Sequence, residues 1–302
     1  MRRFTVLALF AVLLFAALER FGAGQSSTVR ELAPGVFSRQ GDRDRRQPAN
    51  CGWIVFEDYV FVIDANFPWG AREILPEIRK TSSKPIRFVF DTHYHGDHAY
   101  GNALFVDAGA AVVCSQDCAG ESRSKGQAGW DKDTGTGELS LKPYRLEHPT
   151  IVFGEQMAFD DGQHRVELKR MGPGHTKGDA VAYLPKEKIL FTGDLCVNWK
   201  YGNNVADRDA DHRNWVRALG DMARWEVKTV VVGHGSLGTT ETLRGQQAYL
   251  DDMWKQVAAG RRAEKSADQL VKEIDLTKHQ PFGGDSERNA GSIRAMYAKA
   301  GG

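Results

Sequence analysis

The stretch Phe88–Asn102, FVFDTHYHGDHAYGN, decides how this chain is interpreted. The apolar run Ile86–Phe90 predicts a strand that leads into HYHGDH. Along an extended strand the first two histidines would point the same way, and the glycine would let the aspartate and the third histidine turn back toward them. The chain has only nine histidines in 302 residues, so three in one hexapeptide indicate a metal site suited to zinc or another transition metal. The candidate ligands here are His93, His95, Asp97 and His98.

The composition is that of an ordinary globular protein, with 41% hydrophobic and 26% charged residues. The formal net charge is +1, which gives no electrostatic reason to expect a nucleic-acid partner. The chain contains no low-complexity tract and no repeat. A small-molecule substrate is therefore the expected partner, and the sequence leaves the oligomeric state open.

The N-terminus has the features of a secretory signal. Arg2 and Arg3 precede the uncharged run Phe4–Leu18, and the small residues Gly22–Gly24 follow. The alternative is a single membrane anchor, but the apolar run is short for a bilayer and is closed by Glu19. We predict a signal peptide at 1–24 and one mature domain at 25–302, in the periplasm or outside the cell, with no stable membrane anchor after cleavage.

Four cysteines follow the predicted cleavage site: Cys51, Cys114, Cys118 and Cys196. In an oxidising compartment they could form two disulfides in three possible pairings, which the sequence does not resolve. Cys114 and Cys118 could equally be two buried thiols.

The pattern of apolar residues predicts alternating strands and helices, and hence a layered α/β or α+β architecture. Strands are predicted at Val29–Arg39 (with a turn at Pro34-Gly35), Cys51–Phe56, Tyr59–Asp64, Ile86–Phe90, Ala111–Cys114, Ile151–Phe153, Gln163–Met171, Ala180–Leu184, Lys188–Phe191 and Thr229–Val232. Helices are predicted at Trp69–Thr81, Asp97–Val106, His212–Trp225, Glu241–Ala259 and Ala267–Ile274, with a helix and then a loop inside Gln116–His148 and a glycine-rich tail at the end.

Three more candidate ligands lie beside glycines, each where a predicted buried strand ends. His175 lies in GPGHT, Asp194 ends KILFTGD, and His234 lies in TVVVGHG. Glycine allows the backbone to approach a site closely. Each residue alone could be a hydrogen-bonded histidine or a capping aspartate, but together they extend the metal site.

The order HxHxDH, GHT, TGD and GHG resembles the metallo-β-lactamase superfamily from about Val29 to Leu250. The resemblance implies an α/β (α+β) fold, a four-layer αββα sandwich with the site at one edge of two packed sheets. It also implies two Zn²⁺ ions. One would be held by His93, His95 and His175, the second by Asp97, His98 and His234, and Asp194 would bridge the two.

The same resemblance implies hydrolysis. Two metals would lower the pKa of a bridging water and polarise a carbonyl or phosphoryl oxygen. Asp97 and Asp194 are the candidate catalytic residues. Asp91, Asp179 and Thr176 are candidates for orienting the imidazoles, or else are turn and cap residues. The remaining histidines that lie outside the motifs are interpreted as ordinary surface or packing residues: His148, His164, His212 and His279.

The segment Lys200–Leu219 is similar to a stretch of class B β-lactamases, so Lys200, Asn203 and Asn204 are candidate substrate residues. Asp194, His98 and Val197 depart from the commonest β-lactamase subclass, which has cysteine, arginine and lysine there. The loop Gly41–Asn50 is charged through its arginines, where a substrate-covering flap would be apolar. The arginines in question are Arg43, Arg45 and Arg46.

The ligand set is similar to that of glyoxalase II-type thioesterases and lactonases. The sequence thus favours an exported dinuclear zinc hydrolase acting on an ester, thioester, lactone or amide carbonyl. The alternatives are a class B-like β-lactamase, a persulfide dioxygenase with one Fe²⁺ on His93, His175 and Asp194, and a non-catalytic metal-binding module. A nuclease is weaker still, because no basic groove is visible.

Overall fold

Two β-sheets packed face to face form the centre of the protein, in a computed structural model that describes residues 28–280 and 282–300. The predicted signal peptide at 1–24 lies outside the described residues. The first sheet has, in spatial order, β1 (Val29–Ala33), β2 (Val36–Arg39), β3 (Cys51–Val55), β4 (Val60–Ile63), β5 (Ile86–Phe90), β6 (Ala111–Ser115) and β7 (Ile151–Phe153). The second has β12 (Thr229–Val231), β11 (Ile189–Phe191), β10 (Ala180–Leu184), β9 (Arg165–Arg170) and β8 (Gln156–Asp160).

Strand direction changes within each sheet. β1 to β4 are antiparallel, whereas β4, β5, β6 and β7 are mutually parallel. In the second sheet only the β11–β12 pair is parallel. Parallel strands need long crossover connections, usually helices, to return the chain to the same edge. The C-terminal ends of β5, β11 and β12 consequently deliver their loops to one edge of the sandwich.

Helices cover both outer faces of the sandwich. The helices are α1 (Pro68–Thr81), α2 (Gly96–Ala99), α3 (Asn102–Asp107), α4 (Gln116–Glu121), α5 (Gln127–Asp131), α6 (His212–Met222), α7 (Thr240–Arg262), α8 (Ala267–Glu273) and α9 (Ser286–Lys299). Shorter turns of 3₁₀ or π type lie at Ser122–Gly126, Gly137–Leu139, Gly193–Leu195 and Thr277–His279. α1 and α3 pack on the first sheet, and α6 to α9 pack on the second.

Three of the four apolar clusters among the described residues correspond to the three interfaces between layers. Phe61 and Phe90 of the first sheet meet Leu168 and Phe191 of the second in the central one. On the outer side, α6 buries Trp215 and its neighbours one turn apart, after Asp211 caps its first turn by accepting from the Asn214 N–H. The four-layer αββα sandwich expected from the sequence is therefore confirmed.

The structure corrects two predicted elements and adds one strand that was not predicted. The helix predicted at Asp97–Val106 is broken into α2 and α3 around Gly101, where a Cβ atom would lie 2.3 Å from the Ala65 carbonyl oxygen. The strand β8 was not predicted, because it is partly or fully exposed along its length and lacks an apolar run. The predicted glycine-rich tail is wrong beyond Gly284, since α9 follows it.

All four cysteines are buried and unpaired. Burial raises the pKa of the Cys51 thiol to about 12 and raises that of Cys196 further. The structure therefore contains neither of the two disulfides that an oxidising compartment would allow. Among the described residues, the helices are all too short or too polar to cross a bilayer.

Candidate metal centre

The loop after β5 places the first four candidate ligands. β5 ends at Phe90, and His93 and His95 lie in the irregular segment that follows, before α2 begins at Gly96. Their side chains do converge, but the alternation of a strand is not the cause. Asp97 and His98 belong to the first turn of α2, which folds them back over the loop.

One group of donor atoms surrounds the Nδ1 atom of His95. The Nε2 atoms of His93 and His175 lie 3.1 and 3.0 Å from it. Asp194 Oδ2 lies 3.5 Å from His175 Nε2 and 4.0 Å from His93 Nε2. Three imidazoles and one carboxylate oxygen thus face a common point.

A second group lies on the other side of Asp194. Asp194 Oδ1 is 3.2 Å from His98 Nε2 and 3.0 Å from His234 Nε2. Asp97 Oδ2 lies 3.4 Å from His234 Nε2 and 3.9 Å from that of His98. Asp194 Oδ2 also lies 3.2 Å from His234 Nε2, so the carboxylate stands between the two groups, as a bridging ligand would.

Glycines after β11 and β12 allow the backbone to come close to the Asp194 carboxylate. Gly193 has a φ of +50°, a left-handed conformation that glycine adopts readily, just before Asp194. A Cβ atom on Gly233 would lie 2.0 Å from Asp194 Oδ1. Only a residue without a side chain fits beside this carboxylate.

Each imidazole is fixed by a hydrogen bond on its outer nitrogen. His98 Nδ1 lies 2.8 Å from Asp64 Oδ2, and His95 Nε2 lies 3.0 Å from Asp207 Oδ2. The others use Thr92 Oγ1 for His93, the Asn204 carbonyl for His175 and the Pro48 carbonyl for His234. His95 is thus the one ligand of the five that presents Nδ1 to the centre.

Asp64 and Asp207 were not predicted as residues of the site. Asp64 follows β4 with a φ of +60°, and Asp207 lies in an irregular loop, so neither has a motif around it. The proposed orienting residues act elsewhere: Asp91 accepts from Asn102, while Asp179 accepts from Thr176. A signal existed only for Asp64, as a carboxylate directly after a buried strand.

Burial and neighbouring charges shift the pKa values of the ligands in opposite directions. Burial lowers the pKa of His175 to about 4 and lowers that of His93 well below its ordinary value. Burial also opposes charge on His98, but Asp64 and Asp194 raise its pKa well above the ordinary value. Despite its own burial, Asp194 has a pKa far below the usual range because His234 and His98 are adjacent. Zinc ligands bind deprotonated, so a cation entering the second group displaces protons.

The donors fit a pair of divalent metal ions. A tetrahedral ion with bonds of about 2.1 Å places its ligand atoms about 3.4 Å apart. The donor separations above run from 3.0 to 4.0 Å. The buried Asp194 Oδ1 accepts no hydrogen bond within the described part of the chain, which leaves it for a cation. All seven predicted ligands fall into these two groups: His93, His95, His175 and Asp194 in one, and Asp97, His98 and His234 in the other.

A cavity of about 800 Å³ opens above the centre. Asn203 and Asn204 line it, as the sequence predicts, although Asn203 uses its Nδ2 to hold the Asp194 carbonyl oxygen at 2.8 Å. Lys200 lines an adjoining depression instead of this cavity. Arg288 of α9 lines the cavity and was not predicted.

The four histidines outside the motifs lie apart from the two donor groups. His148 and His212 hydrogen-bond to Ser122 and to the Val205 carbonyl. His164 pairs with Glu187, and His279 pairs with Asp252.

The profile of the metallo-beta-lactamase superfamily matches residues 44–234. The chain belongs to this superfamily. A metallo-beta-lactamase type 2 of Elizabethkingia meningoseptica is 24% identical over 191 residues, covering 62% of this chain and 68% of that protein. A linear primary-alkylsulfatase of Pseudomonas sp. is 22% identical over 245 residues, covering 69% of this chain but only 46% of the alkylsulfatase.

Solved structures show the same superfamily fold. A metallo-beta-lactamase from Pontibacter korlensis has a TM-score of 0.61 at 23% identity, covering 75% of this chain and 99% of that one. DIM-1 metallo-beta-lactamase has a TM-score of 0.60 at 20% identity, covering 76% and 99%. The chain thus shares the fold of these structures, and its histidine and aspartate cluster is suited to a divalent metal.

Proposed function

We propose that this protein is an exported, dinuclear zinc-dependent hydrolase that cleaves an ester, thioester, lactone or amide carbonyl. The position of Asp194 carries the proposal, because one carboxylate lies between two complete sets of donors. Export rests on the N-terminal sequence alone. Two zinc ions bound there would supply hydroxide at neutral pH and polarise the scissile carbonyl.

Asp97 and Asp194 differ in what they can contact. The Asp97 side chain is 22% exposed and lines the cavity, whereas that of Asp194 is 8% exposed. Asp97 can therefore orient the attacking water and accept its proton as well as bind metal. The Asn203 amide holds the Asp194 backbone from behind, and Gly233 leaves room beside the Asp194 side chain.

The metal content of the mature protein, purified without added metal, tests this proposal. About two zinc ions per chain, together with hydrolysis of one or more of an ester, thioester, lactone or β-lactam, would support it. One iron per chain with oxygen consumption on a persulfide would replace it with the dioxygenase. A protein that takes up no metal even when supplied would contradict both.

β-Lactam hydrolysis is the second candidate activity, favoured by the similarity to the Elizabethkingia enzyme. Val197 forms part of the cavity wall and is 1% exposed, so it offers no charge to a drug carboxylate. Turnover of a chromogenic cephalosporin at a rate comparable with the best ester would establish β-lactamase activity. The similarity to an alkylsulfatase adds a primary alkyl sulfate to the panel of substrates.

A further inference from the structure

We propose that the substrate is an organic anion, and that Arg43, Arg46 and Arg288 bind its negative group at the mouth of the cavity. This inference rests on the proposed function, because it concerns the substrate of the same site. The expected ligand has a scissile carbonyl at the metal centre, an apolar middle part and a carboxylate at the far end.

Three arginines from two distant segments line the cavity. Arg43 and Arg46 come from the loop Gly41–Asn50, and Arg288 comes from the first turn of α9. All three residues are exposed, and within the described part of the chain none forms an ion pair with a carboxylate. Arg45, in the same loop, differs because it pairs with Glu73 and does not line the cavity.

The carboxylates that line the cavity do not neutralise these arginines. Asp97 and Asp194 face the metal donors. Asp133 accepts the backbone N–H groups of Gly135 and Leu141, at 3.0 and 2.8 Å. Asp133 keeps its negative charge, but three arginines outweigh it, so the excess charge at the mouth is positive, and bound metal ions would increase it.

The loop that carries Arg43 and Arg46 is held firmly in place. The Trp69 indole donates to the Arg46 carbonyl at 2.7 Å, and the guanidinium of Arg43 stacks 3.8 Å above the Tyr201 ring. The buried Arg39 side chain binds Gln47 and Glu77 at 2.9 and 2.7 Å. A preorganised donor loses less entropy on binding a ligand than a mobile one.

The segment before α9 is packed just as closely against Tyr201 and Asn203, in the loop that lines the cavity. The Asn203 N–H donates to the Phe282 carbonyl at 3.3 Å. A Cβ atom on Gly284, whose φ is +70°, would lie 2.4 Å from the Tyr201 carbonyl oxygen. Lys299, at the other end of α9, donates to the Arg208 carbonyl at 3.0 Å. α9 is therefore fastened at both ends, with Arg288 at the cavity.

Aromatic side chains line the cavity together with the arginines. Phe67 stacks on Trp69 at 4.6 Å, and Trp199 stacks on the ligand His234 at 4.5 Å. These rings offer apolar surface to the middle part of a ligand. A small hydrophilic anion would use the arginines but leave this surface unused, so the structure favours an anion with an apolar chain or ring.

The test compares two esters in the zinc-loaded protein, mono-4-nitrophenyl glutarate and 4-nitrophenyl pentanoate, which differ by a terminal carboxylate in place of a methyl group. We expect kcat/KM to favour the anionic ester by about tenfold or more, mainly through KM, and the preference to fall as salt is added. Arg288→Ala and the double variant Arg43→Ala/Arg46→Ala should each remove most of the preference. Arg288→Lys and Arg43→Lys/Arg46→Lys should keep part of it. Arg45→Ala is the matched control and should keep all of it.

A second readout uses the metal-free protein, in which a carboxylate has no metal to bind. Quenching of tryptophan fluorescence would report the binding of 4-phenylbutyrate and of its neutral amide. We expect tighter binding of the carboxylate, lost in the arginine variants. If both esters are cleaved equally and neither readout responds to the variants, the anion site is wrong and the hydrolase stands. If neither ester is cleaved but the carboxylate still binds through the arginines, the anion site stands and the proposed hydrolase activity is wrong.

Discussion

The floor and the rim of the cavity are built in opposite ways. The floor consists of the seven donor side chains, defined above as two groups around Asp194, and its imidazoles are each held by a hydrogen bond from outside. The rim consists of Arg43, Arg46 and Arg288, which are exposed and have no carboxylate partner among the described residues. The floor determines which reaction is possible, and the rim selects which molecules reach it. The two should therefore respond separately to mutation.

The largest effect is expected from Asp97→Ala on the floor. The change removes a metal ligand and the proton acceptor that faces the cavity, so kcat should fall by about 100-fold or more. Far-UV circular dichroism and the Tm should change little, because the side chain is partly exposed. Asp44→Ala, an exposed aspartate of the loop at the rim, is the control. Unchanged hydrolysis by the Asp97 variant would refute its catalytic placement.

The two halves of the floor can be separated through Asp64 and Asp207. Asp64→Asn should weaken the second group through His98, and Asp207→Asn should weaken the first group through His95. Loss of such a partner commonly lowers metal affinity by about 10–100-fold. Competition with a chelator, titrated until each ion leaves, measures the metal affinity of each group in both variants.

The control for this pair is Asp209→Asn. Asp209 lies two residues beyond Asp207 and pairs with Lys125, without a hydrogen bond to any of the imidazoles. If Asp64→Asn and Asp207→Asn weakened the same ion equally, the assignment of His95 and His98 to different groups would be wrong.

The floor could be predicted from the sequence because each ligand lies in a short motif with its own local cause. HYHGDH follows an apolar strand, and the other three ligands lie beside glycines that the backbone geometry requires. Where the prediction depended on regular geometry it was less accurate. His93 and His95 converge although they lie in a loop, because His95 turns its Nδ1 inward and gives its Nε2 to Asp207.

The rim could not be predicted because it depends on contacts between distant segments. The arginines of the loop were noticed, yet nothing in the sequence distinguishes Arg45, which pairs with Glu73, from Arg43 and Arg46. Arg288 was missed along with α9, since the two glycines before the helix led to the prediction of a glycine-rich tail. Those glycines instead permit close packing against the loop at Gly202.

A smaller effect, on stability rather than turnover, is expected where the backbone meets the floor. Gly233→Ala places a methyl group 2.0 Å from Asp194 Oδ1 and 2.7 Å from the Gly193 carbonyl carbon. Overpacking of this kind should lower the free energy of unfolding by about 1 kcal/mol or more. Gly120→Ala, in α4 with no atom within 4 Å of the added group, should be neutral or slightly stabilising. Chemical denaturation of the metal-free proteins compares the two variants. Equal free energies of unfolding would show that the backbone around Gly233 adjusts to the added methyl group at little cost.

The smallest effect concerns His212. It holds the loop around Val205, which also carries Asn203 and Asn204 of the cavity wall. Its Nε2 donates to the Val205 carbonyl at 2.8 Å, and burial lowers the pKa of His212 despite that bond. The folded protein thus keeps His212 neutral where the unfolded chain, with an ordinary value near 6.5, already binds a proton. The stability this contributes is complete above that value and is lost as the pH falls below it, by at most about 1.4 kcal/mol per pH unit. His212→Gln keeps a donor but cannot titrate, so the unfolding free energy of the metal-free variant should fall less steeply than that of the wild type between pH 7 and 5. Parallel curves would mean that the loop tolerates a charged imidazole and that His212 does not contribute to the pH dependence of stability.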